Sequence, residues 1–311
     1  MYQNRKTILE VRNLSISFQK YYNGLKQKMI PVISHLDFTV YPGEIVAVAG
    51  SSGAGKSILA AAILGILPQN AKTEGEIIYK GEILSCEKQK KLRGREIALV
   101  PQSVAFLNPL MKTGKQVDRH GGAKIEEKRK KIFQRLALPS NTENLYPFQL
   151  SGGMARRVLV STALISEAQL IIADEPTPGM ALFEAKEALR IFREMAEEQK
   201  AVILITHDID LAVEFADRIV IFYGGTTLEE VSVAEFKEGK KGLYHPYSKA
   251  LWNSLPQNGF QSIPGYQPKV ESVGEGCLFV SQCSERTELC EKKFPPMREV
   301  GEGKVRCHHV T

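Results

Sequence analysis

Gly50-Ser51-Ser52-Gly53-Ala54-Gly55-Lys56-Ser57 decides how this chain is read. It follows an apolar run, Ile45-Val46-Ala47-Val48-Ala49, that reads as a buried parallel strand. It precedes Ile58-Leu59-Ala60-Ala61-Ala62-Ile63-Leu64, good helix-forming sequence. Strand, glycine-rich turn and helix form the setting that a G-x-x-x-x-G-K-S match requires. Glycines let backbone N–H groups curl around phosphate oxygens, and the helix start adds roughly half a positive charge. Lys56 is expected to reach the β- and γ-phosphates, and Ser57 to place its hydroxyl on Mg²⁺. A glycine turn that only joins strand to helix is the bland alternative; the complete motif in this setting argues against it. The stretch reads as a nucleotide-phosphate cradle.

The chain has 311 residues, room for one large α/β domain with an appendage or for two domains. At 43% hydrophobic residues it can bury a full core. The net charge of +6, from 41 basic against 35 acidic residues, is mild. It suits work beside an anionic nucleotide or a membrane face without requiring nucleic acid. The start, Met1 to Thr7, lacks the apolar core of a signal peptide. The longest apolar run, Ile58 to Leu67, is ten residues, short of the ~18 that a membrane span needs. Any membrane role is therefore expected to come through partners.

Residues 8–49 alternate apolar and polar, in Ile8–Arg12, Leu14–Phe18 and Val32–Val40, and Tyr41-Pro42-Gly43-Glu44 is a turn. They predict a small antiparallel layer leading into the phosphate-loop strand. Phe18 is expected to end the first strand pair, where it can stack on a nucleotide base; by residue type a core phenylalanine is commoner. A strand at Glu96–Val100, read as central, places Gln102 at the edge where phosphoryl-site groups gather. From Ser103 to about Ser166 the pattern is helical and more charged, predicting a separate helical lobe. Its Lys124–Lys131 run reads as solvated surface rather than a nucleic-acid patch.

Leu150-Ser151-Gly152-Gly153-Met154 opens an amphipathic run. Ser151, Gly152 and Gly153 form a second anion-binding turn by the same dipole argument, or an N-cap with a flexible hinge. Leu170-Ile171-Ile172-Ala173-Asp174-Glu175-Pro176 is an apolar strand ending in two carboxylates. Asp174 can hold the Mg²⁺ shell, and Glu175 can orient or deprotonate an attacking water. A charged turn after a strand is the plain alternative, weakened by the phosphate loop upstream. Ala201–Ile205 is a further strand, ending in Thr206-His207-Asp208. A lone histidine is usually structural, but His207 at such a strand edge is placed to hydrogen-bond a γ-phosphate.

Together these pieces resemble the nucleotide-binding subunit of an ABC transporter, over residues 8 to about 225. The ordered motifs are the aromatic Phe18, Walker A at Gly50–Ser57, the Q-loop Gln102, the Leu150–Met154 signature, Walker B with Glu175, and the switch His207. The resemblance implies an α/β P-loop core with an antiparallel β subdomain and an inserted helical subdomain. It implies ATP bound by Phe18, Gly50, Ser51, Ser52, Gly53, Ala54, Gly55, Lys56 and Ser57, with Ser151, Gly152 and Gly153 facing a second subunit's ATP. Glu175, His207 and Gln102 are implied as catalytic, and Ser57, Gln102 and Asp174 as the Mg²⁺ set. Two such subunits close head to tail in that family, and hydrolysis drives membrane partners. One departure stands out: the family's D-loop ends in Leu-Asp, whereas this chain reads Thr177-Pro178-Gly179-Met180-Ala181, which suggests a tolerated variant or an asymmetric pair.

Phe106–Met111, His245-Pro246-Tyr247-Ser248-Lys249-Ala250-Leu251 and a cysteine-bearing tail are similar to the peptide/nickel importer ATPases. That likeness implies an ATPase domain at 1–235 and a C-terminal extension at 236–311. It also implies a sister ATPase, two integral-membrane permease subunits, an extracytoplasmic solute-binding protein and a place on the cytoplasmic face of the inner membrane. Cargo is expected to be di- or oligopeptide, with nickel the alternative. Cys277, Cys283, Cys290 and Cys307 are separated by five, six and sixteen residues, unlike the short pairs of zinc ribbons. Without an export signal the cluster favours metal over disulfides. Similar tails imply a [4Fe–4S] cluster, with Zn²⁺ second, His308 and His309 as substitute ligands, and four reduced thiols as the plain alternative. A soluble ABC protein of DNA repair or translation would carry two cassettes or a long coiled coil, and neither pattern is present in this sequence. An exporter ATPase shares the core but not the His-Pro-Tyr segment, and a GTPase would need an Asn-Lys-x-Asp guanine reader.

Overall fold

The computed structural model describes residues 6–22, 24, 26–51, 53–118, 123–263 and 275–310. Ser52 of the phosphate loop lies outside the described residues. In chain order the first six strands are β1 (Leu9–Tyr22), β2 (Lys26–Val40), β3 (Ile45–Ala49), β4 (Ala71–Tyr79), β5 (Glu82–Ile83) and β6 (Ile97–Val100). The others are β7 (Leu170–Asp174), β8 (Ala201–Thr206), β9 (Arg218–Tyr223), β10 (Thr226–Ser232), β11 (Arg298–Val300) and β12 (Gly303–Val305). They form an antiparallel sheet, β2-β1-β4-β5, and a larger mixed sheet, β11-β12-β10-β9-β3-β8-β7-β6.

Within the larger sheet β6, β7, β8, β3 and β9 run parallel. β3, β7, β8 and β9 are buried at every position, as strands covered on both faces must be. Alternation then assigns the faces. Val46 and Val48 of β3 join Leu59 and Ile63 in one core, while Ala47 and Ala49 join Ile209 and Ala212 in another.

β1 is one continuous strand where two segments are expected. Asn13 takes a left-handed φ of 47°, and the register shifts between Val11 and Leu14, so a bulge absorbs the break. Phe18 therefore lies inside β1, paired with Ile30 and Ala71, rather than at its end. β6 is the edge strand of the larger sheet, not a central one. Gln102 still follows its carboxyl end.

The helical lobe holds the helices Thr113–Val117, Ala123–Arg135 and Gly152–Leu164, with its own small core around Leu107, Val117, Phe133 and Leu159. Most of the described Lys124–Lys131 face is solvated, but Arg129 is buried and pairs with Asp118 and with Glu143 at 2.5 Å. The tail is stitched to the core. β12 lies between β11 and β10. Buried Arg306 donates to Thr227 O (3.0 Å), Pro295 O (3.2 Å) and His35 O (2.8 Å), and pairs with Asp37 (3.0 Å). The His-Pro-Tyr segment is a clamp: buried Glu229 accepts from the backbone N–H groups of Tyr244 (2.8 Å) and His245 (3.0 Å). His245 Nδ1 in turn caps the Pro246–Asn253 helix by accepting from Tyr247 N at 3.0 Å.

Candidate nucleotide site

The phosphate loop joins β3 to the Lys56–Leu64 helix. Gly55 caps that helix at φ 97°, a left-handed conformation that glycine adopts at little steric cost. Gly50 is required for a different reason, because a Cβ there would sit 2.2 Å from Phe222 O. Gly53 and Ser51 are exposed, and Ala54 is buried beneath the loop. Lys56 is buried and donates from Nζ to Gly50 O (2.8 Å) and Ser51 O (2.9 Å), so its ammonium lies inside the curl of the loop. Burial pushes its pKa down, while Glu175 and Asp174 pull it back up.

Asp174 ends β7. Burial raises its pKa; a hydrogen bond from Ser57, with the charges of Lys56 and Arg156, works the other way. Asp174 Oδ1 is buried without a hydrogen-bond partner. A buried carboxylate oxygen left over, beside a serine hydroxyl and facing the phosphate loop, is the donor set a hard divalent cation takes. The residues thus fit Mg²⁺.

Glu175 follows in a left-handed conformation (φ 49°), and its N–H donates to Ile205 O at 2.9 Å. Such a φ in a non-glycine residue stores strain, which proteins tolerate where a side chain must be aimed. Its Oε2 lies 2.8 Å from His207 Nδ1. Gln102 is exposed just past β6. Lys56, Ser57, Asp174, Glu175 and His207 therefore come together at one end of the parallel strands, as the sequence predicts for a switch-point site.

Ser151 is the N-cap of the Gly152–Leu164 helix, its Oγ accepting from Met154 N at 3.3 Å. This turn sits on the lobe. A Cβ on Gly153 would lie 3.0 Å from Gly179 O, so the serine-glycine turn packs closely on the Thr177–Ala181 segment. Phe18 is half-buried against the core of the antiparallel layer. A groove of about 580 Å³ lies away from the phosphate loop, between the lobe and the core, lined by Ile66, Pro101, Phe106, Met111, Gln116 and others. Sequence reasoning missed Arg156, whose charge reaches both carboxylates. Two adjacent arginines in an otherwise apolar helix were the available signal.

The tail cysteines are free thiols; Cys277, Cys290 and Cys307 are buried and Cys283 is half-buried. Burial pushes Cys277 up to about 11, and the nearby Cys290, Cys307 and Cys283 push it the same way. Cys277 N donates to Cys290 O at 2.7 Å, and Cys290 Sγ lies 3.5 Å from His309 Nε2. The four share one neighbourhood. Among the described residues, however, no group of three or more His, Cys, Asp or Glu side chains is arranged to hold a metal ion, zinc included.

A family model described as ABC transporter matches residues 33–178, and one described as oligopeptide/dipeptide transporter, C-terminal region, matches residues 233–290. The dipeptide transport ATP-binding protein DppD of Bacillus subtilis is 34% identical, across 93% of this chain and 90% of its own. The protein of that name from Haemophilus influenzae is 30% identical, across 97% of this chain and 95% of its own. Among solved structures, the dimeric post-hydrolysis state of the ATP-binding cassette MJ0796, bound to ADP and Pi, is similar with TM-score 0.63 and 25% identity. It covers 72% of this chain and 98% of its own.

Proposed function

The chain belongs to the ABC transporter family, and from that premise we propose that it is the ATP-hydrolysing subunit of a peptide importer. One observation carries the reading. Lys56, Asp174, Glu175 and His207 converge on a phosphate loop, while a second glycine-bearing helix start, Ser151–Gly153, lies on the lobe. A turn so placed serves a nucleotide on another subunit, so each chain supplies two halves of two different sites. The dimeric state of the similar cassette supports that pairing. The relatives' names specify dipeptide and peptide transport, and the nickel alternative is not favoured.

In this reading Lys56 exchanges its own loop carbonyls for β- and γ-phosphate oxygens. Ser57, Asp174 and Gln102 would hold Mg²⁺, which supplies charge opposite the phosphates when bound. Glu175 orients the attacking water and accepts its proton, with His207 holding the carboxylate and contacting the γ-phosphate. The base of ATP is proposed to stack on Phe18. Gly50, Ser51, Ser52, Gly53, Ala54 and Gly55 line the phosphates.

The membrane contact is proposed at the groove beside the Gln102 loop, where Phe106 is 66% and Leu110 87% exposed. Among the described residues no helix is long and apolar enough to cross a membrane. We place the chain at the cytoplasmic face of the inner membrane through two permease subunits, beside a sister ATPase and served by an extracytoplasmic binding protein. Domains at 1–235 and 236–311 remain our division, with β11 and β12 of the second completing the sheet of the first.

For the tail we propose a [4Fe–4S] cluster on the four cysteines, with Zn²⁺ second. Its support is their shared neighbourhood; ligation would have to overcome the burial that raises the Cys277, Cys283 and Cys307 thiols. Anaerobic purification should give brown protein containing iron, and folded, colourless, iron-free protein removes the idea.

The transport reading is tested by assembling the chain with its sister ATPase and permease pair in vesicles. ATP hydrolysis that rises with peptide-loaded binding protein is expected. Stimulation by a nickel complex instead would move the cargo, and no hydrolysis in any assembly would overturn the reading.

A further inference from the structure

Arg156 lies within the first turns of the Gly152–Leu164 helix, whose N-cap is Ser151. It is 9% exposed. Its Nη1 donates to Pro101 O at 3.2 Å, the carbonyl just before Gln102, and its Nε is buried without an acceptor. Parallel pairing sets Val100 beside Ala173, so Pro101 and Asp174 occupy the next rung. One guanidinium therefore touches the end of β6, faces the end of β7, and is carried by the helix that opens at the serine-glycine turn. Burial lowers its pKa, the charges of Glu175 and Asp174 work against that, and Nε is left without a hydrogen-bond acceptor.

Fold stability alone gives a poor account of this arrangement. A buried cation with a donor left over is costly, and an apolar side chain of similar length would fill the helix face without that penalty. We propose that Arg156 is a positioning residue for hydrolysis. It ties the backbone ahead of Gln102 to the Ser151 helix, so that a phosphate engaged on this chain's serine-glycine turn changes where Gln102 stands over this chain's own carboxylates. The inference rests on the ATPase reading and adds a link between the two half-sites of one subunit.

The test compares wild type with Arg156→Met and Arg156→Lys in the full transporter, and follows amide exchange in the full-length chain. Arg156→Met should keep KM for ATP within about 2-fold, lower kcat at least ~10-fold, and raise exchange locally across residues 102–107. Arg156→Lys, which keeps a cation and an N–H donor group but not the planar fork, should restore part of kcat. Unchanged kcat with unchanged local exchange overturns the proposal. So does a loss of kcat accompanied by a matching rise in KM and faster exchange throughout, which assigns Arg156 to packing. If the Met variant does not fold, Arg156→Gln is read by the same criteria. A wild-type assembly without ATP hydrolysis counts instead against the transport reading, and the exchange comparison still decides whether the tie exists.

Discussion

His207 Nδ1 stands 2.8 Å from Glu175 Oε2, joining an imidazole that is 62% exposed to a carboxylate that is 9% exposed. The two residues extend from adjacent strands, since β7 and β8 pair Asp174 with Ile205. The histidine thus bridges the buried acid and the open side of the site, where a terminal phosphate and a water would meet.

Glu175→Gln keeps shape and removes the proposed proton acceptor. ATP binding should stay within a few-fold, while kcat falls at least ~100-fold, about 2.7 kcal/mol on the barrier. Single-turnover hydrolysis at wild-type rate would show that water is activated elsewhere.

Lys56 is buried inside its own loop, so Lys56→Ala removes a cation that the loop already orients. Affinity for ATP should fall at least ~10-fold, read by equilibrium binding. Unchanged affinity would remove Lys56 from the phosphate contact.

His245 supplies a pH test away from nucleotide. Burial, then Lys249, lowers it to about 3, against an ordinary 6.5. Between those values the unfolded chain binds the proton and the folded chain does not, so stability falls as pH drops from about 6.5 toward 3, by at most about 1.4 kcal/mol per unit. His245→Asn keeps an acceptor at this N-cap and removes the titration. Its melting temperature should vary less with pH over that window; a parallel profile would refute the assignment.

Arg306→Met should destabilise the fold by about 3 kcal/mol, because Asp37 and three carbonyls lose a buried partner. Urea midpoints measure it. A change below about 0.5 kcal/mol would mean that water replaces the guanidinium at no cost.

The phosphate loop, the Asp174–Glu175 strand end and His207 were legible because each is a local pattern: an apolar strand followed by polar residues at its carboxyl edge. The serine-glycine helix start was legible for the same reason. Long-range choices were not. No local signal says that Gly303–Val305 pairs with Glu229 and Glu230, or that β6 rather than β7 ends the sheet. Arg129 read as surface because its neighbours are charged, yet Asp118 and Glu143 bury it. Arg156 was hidden likewise, since its partners come from strands more than one element away.

Arg306 meets Asp37 across 269 residues of chain. On a ribosome adding roughly 5–20 residues per second, that gap is on the order of a quarter of a minute to a minute. Through that interval the nascent antiparallel layer waits beside the tunnel exit with its clasp still unmade. The first sheet to emerge is consequently among the last to be locked, and a chaperone has time to hold it.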